Sequence, residues 1–96
     1  MTVLQGSYFR PRLGGHAPAD LRYAFQEAID RWLDWQDEQQ EPTVVVRHEE
    51  VPVTRMFGLL WNYTDILPDV DCNRLHLPAG SSYAQAARHL MRESGR

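Results

Sequence analysis

Apolar side chains recur at Leu21, Phe25, Ala28, Ile29, Trp32 and Leu33, the i, i+4, i+7, i+8, i+11 and i+12 spacing of one helix face. Trp35 falls at the margin of that stripe. Pro18 suits a first helical turn, and Asp20 lies where the positive end of the helix dipole favours a carboxylate. The pattern predicts an amphipathic helix over 18–40, closed by Pro42. Thr43-Val44-Val45-Val46-Arg47 is β-branched and predicts a strand. His48-Glu49-Glu50 is expected to turn the chain, and Val51-Pro52-Val53-Thr54 to return as a second strand. Pro52, which has no N–H for a ladder, points to an edge position.

The pattern changes over 55–67. Met56, Phe57, Leu59, Leu60, Trp61, Tyr63, Ile66 and Leu67 are so dense that a helix here is apolar nearly all round. This predicts a central buried helix with Leu60 and Trp61 inside, closed by Pro68. A short helix is expected over 69–75 and a loop at Leu77-Pro78-Ala79-Gly80. Ser81 or Ser82 then caps a last helix, whose stripe is Tyr83, Ala86, Ala87, Leu90 and Met91. Residues 1–17, with Gly6, Pro11, Gly14 and Gly15, read as an irregular arm with one short strand near 7–10. The expected architecture is one domain over 1–96 of α+β, helix-dominated class. It has three to four helices, a short two-stranded β element within 43–54, and a helical C-terminal part over 55–93.

Charge adds a contrast. The chain has net charge −3, and all ten of its basic residues are arginine. Residues 20–41 hold seven carboxylates against two arginines, a local balance of −5, so the acidity is concentrated on the first helix. A net-acidic chain lacks the basic excess of a generic nucleic-acid binder, so nucleic acid is not expected as the direct ligand. Cys72 is the single cysteine and cannot form an intrachain disulfide, which fits a reducing, cytoplasmic setting. The first residues show no signal-peptide pattern, and no apolar stretch approaches the roughly 20 residues that span a bilayer. No membrane association is expected.

Candidate chemistry is sparse. Cys72 and His76 are four apart, but a closed zinc site needs four ligands, and His48 and His89 lie on distant segments. Ser81 and Ser82 stand where helix caps belong, no Gly-x-Ser-x-Gly elbow occurs, and Gly14-Gly15 lacks the phosphate-loop pattern. No cofactor, metal or catalytic residue is expected. An enzyme without a recognisable motif stays as an alternative, because triads are defined by geometry.

The acidic helix offers a contact surface instead. Tyr23 projects to the same polar side as Asp30 and Asp34, and Glu27 is their helix-surface neighbour. Tyr23, Glu27, Asp30 and Asp34 are therefore the candidate residues for meeting a basic protein surface, against the plainer reading of a solvated face. Arg88, Arg92 and Arg96 recur every fourth residue on the last helix. Arg88 and Arg92 are candidate secondary contacts, for protein or for phosphate, or solvated partners of the helix dipole.

Two stretches carry resemblances. Tyr83-Ala84-Gln85-Ala86-Ala87-Arg88-His89-Leu90 resembles the first helix of Fis-type helix-turn-helix motifs. Such motifs continue into a recognition helix, whereas six residues follow Leu90 here. That leaves a small DNA-associated transcriptional regulator as the runner-up. Gly58-Leu59-Leu60-Trp61-Asn62-Tyr63-Thr64-Asp65-Ile66-Leu67-Pro68, with Ser82-Tyr83-Ala84-Gln85-Ala86, is similar to short uncharacterised proteins of proteobacteria and their mobile elements. Those chains commonly have Cys where Tyr63 stands, and they imply no activity. The resemblance implies a phage- or plasmid-associated accessory protein, a class that includes inhibitors of CRISPR-type defence complexes. The leading expectation is a small non-catalytic protein that binds a protein partner.

Overall fold

The computed structural model describes residues 16–36 and 39–94. Among these it contains four helices and a two-stranded antiparallel sheet, the helix-dominated α+β class expected. The arm expected over 1–17, with its strand near 7–10, lies outside the described residues except for its last two. Of those, Ala17 is buried and donates its N–H to the Asp65 carboxylate at 3.3 Å.

Helix α1 spans Ala19–Asp34 and buries Leu21, Ala24, Phe25, Ala28 and Ile29. It starts after Pro18, whose carbonyl accepts the N–H groups of Leu21 and Arg22, both at 3.0 Å. The expected helix reached residue 40. It stops at Asp34 because Trp35 turns to extended backbone. Asp34 stands at the negative end of the dipole, where a carboxylate disfavours continuation. The early stop also leaves Leu33 exposed and Trp32 only half-buried, at the limit of the stripe.

Strands β1 (Thr43–Val46) and β2 (Glu49–Pro52) pair with Thr43 opposite Pro52 and Val46 opposite Glu49. Val44, Val46 and Val51 face the core and Val45 faces out, the alternation of a half-buried strand. The turn is Arg47-His48, one residue earlier than expected. Both residues have positive φ, 52° and 72°, as the tight two-residue hairpin turn requires. Neither is the usual Gly or Asn.

Helix α2 (Val53–Leu59) begins directly at the end of β2, so Val53 and Thr54 belong to a helix and not to the expected strand. Its first N–H groups are met from the segment that precedes β1. Val53 donates to the Pro42 carbonyl at 3.0 Å, and the Glu41 carboxylate accepts the Thr54 N–H at 3.0 Å and its hydroxyl at 2.5 Å. The helix ends far short of residue 67. Gly58 weakens its last turn, and Asn62, Tyr63, Thr64 and Asp65 are poor helix formers. Leu60 is fully buried as expected, but Trp61 lies in the following turn and is 39% exposed, contrary to its expected burial.

Residues 63–67 run beside the start of the last helix. The Leu67 N–H donates to the Ser81 carbonyl at 2.8 Å, and the Ala84 N–H to the Tyr63 carbonyl at 2.8 Å. Helix α3 (Asp69–Arg74) is the short helix expected, and it buries Asp71 and Cys72. Helix α4 (Tyr83–Ser94) buries Tyr83, Ala84, Ala86, Ala87 and Leu90. Ser82 is its cap. The Ser82 hydroxyl accepts the Gln85 N–H at 3.1 Å while the Gln85 side-chain carbonyl accepts the Ser82 N–H at 2.8 Å, a reciprocal capping box. Phe25 joins the helices. Its ring meets Phe57 edge-on at 5.7 Å and Tyr83 at 5.5 Å, so α1, α2 and α4 share one aromatic centre.

Candidate functional site

The outer face of α1 carries the residues singled out from the sequence. Tyr23 is 72% exposed, and Glu27, Asp30 and Asp34 are exposed on the same side of the helix. Their charges, however, are mostly met inside the molecule. Glu27 pairs with Arg31 one turn on, at 2.8 Å. Asp30 pairs with Arg74 of α3. Asp20, at the start of the helix, receives both Nε and Nη2 of Arg47 from the hairpin turn, at 2.5 and 3.2 Å. That hydrogen-bonded guanidinium holds the Asp20 carboxyl below its usual range. Glu41 is engaged by Thr54. Asp34 has no ion pair among the described residues and borders an open pocket of about 190 Å³ with Trp35, Gln39 and Pro42. Asp37 and Glu38 lie outside the described residues. The face is a set of oriented ion pairs around an exposed tyrosine more than a bare negative patch.

Behind this face lies an arrangement that sequence reasoning missed. Asp71 is 1% exposed, yet it is a carboxylate. It accepts the Gln26 amide N–H at 3.1 Å and Arg74 Nη1 at 3.2 Å. Arg74 thus bridges buried Asp71 and exposed Asp30, tying α3 to the middle of α1. The i, i+3 spacing of Asp71 and Arg74 was a legible signal. The partnership with Gln26 was not, since only the tertiary fold brings the two together.

The α4 flank differs in kind. The Arg88 guanidinium lies 4.9 Å from the centroid of the Trp61 ring. Arg92 is exposed with no ion-pair partner among the described residues, and Met91 lies over Gly58. Arg96 is outside the described residues. A groove of about 380 Å³ runs between α1, α3 and α4, lined by Trp32, Leu33 and Leu75 with Arg74, His76, His89 and Glu93. Cys72 and His76 do not converge. The thiol is buried against the Leu67 carbonyl, and His76 is exposed with φ of 59°. No group of three or more His, Cys, Asp or Glu among the described residues could hold a metal ion. No described helix is long and apolar enough to cross a membrane.

No family model, no curated protein and no solved structure matches the chain.

Proposed function

We propose that the chain is a small non-catalytic binding protein that acts on a protein partner through the outer face of α1. One observation carries this reading. Tyr23 stands 72% exposed in a frame of side chains already fixed by ion pairs. An exposed tyrosine offers large contact area for little lost side-chain freedom, and a pre-oriented frame lowers the ordering cost of binding. Glu27, Asp30 and Asp34 give the contact its polar rim, with Asp34 as the member left to attract a cation. The resemblance to mobile-element proteins puts a host nucleic-acid-handling or CRISPR-type defence complex first among partners to test. The DNA-associated regulator has less support. It would rest on Arg88 and Arg92, and two phosphate contacts give weak, strongly salt-sensitive binding.

The test is site-specific photo-crosslinking in the source cell, from position 23 and, as a control, from the exposed Val45 of β1. One protein captured from position 23 alone supports the reading. With that protein in hand, Tyr23→Ala should speed dissociation while Asp34→Asn slows association at low salt. Equal capture from both positions, or capture of nucleic acid without protein, would sink it.

A further inference from the structure

Arg22, Tyr23, Gln26, Pro68 and Tyr83 line an open pocket of about 250 Å³ at the N-terminal half of α1. Tyr83 is only 3% exposed, and its ring is wedged edge-on against Phe25, so the phenol cannot swing out to solvent. Its hydroxyl has no hydrogen-bond partner among the described residues, and its oxygen is not sealed from the pocket. A buried tyrosine normally finds a partner for its O–H. Here the pocket is where one can be supplied.

Arg22 is the second element. Arg31, Arg47 and Arg74 all neutralise carboxylates of α1, whereas Arg22 carries no ion pair among the described residues. It lines the same pocket as the Tyr83 phenol. The Gln26 amide on the third side is held by its bond to Asp71. A held phenol, a held amide and an exposed guanidinium, unpaired among the described residues, therefore border one pocket.

We infer that this pocket receives a carboxylate presented by the protein partner, gripped by the Arg22 guanidinium and the Tyr83 hydroxyl, with Tyr23 and Pro68 packing its carbon chain. The inference rests on the α1 face being the contact surface, and it names the chemistry of one contacting group. The pocket is smaller than the roughly 300–1,000 Å³ of sites for whole small molecules, as befits one functional group on a side chain or chain terminus. Asp65 and Asp71 also act on the Tyr83 phenol with their negative charge, which opposes any anion and a phosphate dianion more than a carboxylate. The phenol is a hydrogen-bond donor at neutral pH already at its ordinary value of 10.0, and burial raises it further.

The experiment is an NMR titration of the isotope-labelled full chain with sodium acetate, acetamide and inorganic phosphate at neutral pH. Acetate should give saturable shifts at the Arg22 Nε–H, the Gln26 amide and the Tyr83 ring, and the uncharged acetamide none. Tyr83→Phe keeps the ring and the fold, and it should weaken acetate about tenfold or more, the worth of a hydrogen bond to a charged group. Arg22→Gln should weaken it at least as much. Non-saturating acetate shifts, or shifts unchanged in both variants, overturn the site. Phosphate binding more tightly than acetate overturns the carboxylate assignment. Acetate requires no partner, so failure here leaves the Tyr23 contact face to be judged by the crosslinking alone.

Discussion

Gln26 and Asp71 are 45 positions apart, and the amide of the first donates to the buried carboxylate of the second at 3.1 Å. Arg74 supplies the other donor to that carboxylate. A buried carboxylate that loses a donor keeps its desolvation penalty, about 1–3 kcal/mol and more for charged groups. Arg74→Met should therefore lower the urea unfolding free energy by about that much, because the 1% exposed Asp71 is left short of a partner. Asp71→Asn should cost less, since it removes the charge and keeps an acceptor for Gln26. The reverse order would mean that Arg74 serves only its exposed pair with Asp30.

Neighbouring residues should separate core from surface. Leu60 is fully buried, so Leu60→Ala should cost about 2–5 kcal/mol. Trp61 is partly exposed under Arg88, and Trp61→Ala should cost about 1 kcal/mol or less. Denaturant midpoints decide this. Equal losses at both positions would place the indole in the core.

Asp20 should shape the acid limb of the stability curve. Its carboxyl is held below the ordinary value of 3.8 by Arg47, so the folded state favours the ionised form. That contribution is complete above the unfolded value and is lost as pH falls through the lower folded one. Melting temperatures between about pH 6 and pH 2 should fall less steeply in Asp20→Asn than in the wild type, and high salt should narrow the gap. Parallel curves at low salt would leave the Asp20–Arg47 pair without effect.

The alkaline limb belongs to Tyr83. Burial raises its phenol in the folded chain, so stability is complete below the ordinary value of 10.0 and is lost as pH rises towards the folded value. Tyr83→Phe removes that loss, and its melting temperature should decline more gently above about pH 10. An unchanged alkaline slope would show that the hydroxyl titrates like an exposed one.

Legibility followed the reach of each interaction along the chain. The α1 stripe, the valine strand and the Ser82 cap were readable because their determinants are local spacings. Helix ends were read less well, because the limits at Asp34 and Leu59 depend on weak propensities and on charge at a helix terminus. The apolar run 55–67 misled for a physical reason. Such density suggests burial on every side, but Leu59 and Ile66 are 45% and 59% exposed, of residues 63–67 only Leu67 is fully buried, and Trp61 is left in the turn. At the candidate surface, Tyr23 and the carboxylates were placed on the right side of the helix. The Glu27–Arg31 pair was a local spacing, but the cations of Asp20 and Asp30 were invisible, since Arg47 and Arg74 come from elements far along the chain, and so was the pocket shared by Arg22 and Tyr83.

The Glu41–Thr54 clasp bears on the order of events during folding. It joins residues 13 apart, whereas the bonds tying α1 to Asp71 and Ala17 to Asp65 span 45 and 48 positions. Loop-closure entropy grows with span, and distant contacts must wait for it to be met. The hairpin and α2, clasped at Glu41, form the stretch able to organise first, and α1, α3 and α4 then have a surface on which to condense. Truncating Val44 should accordingly slow refolding, while truncating Cys72 should mainly hasten unfolding. Stopped-flow kinetics with the opposite pattern would put the nucleus in α3 and α4 instead.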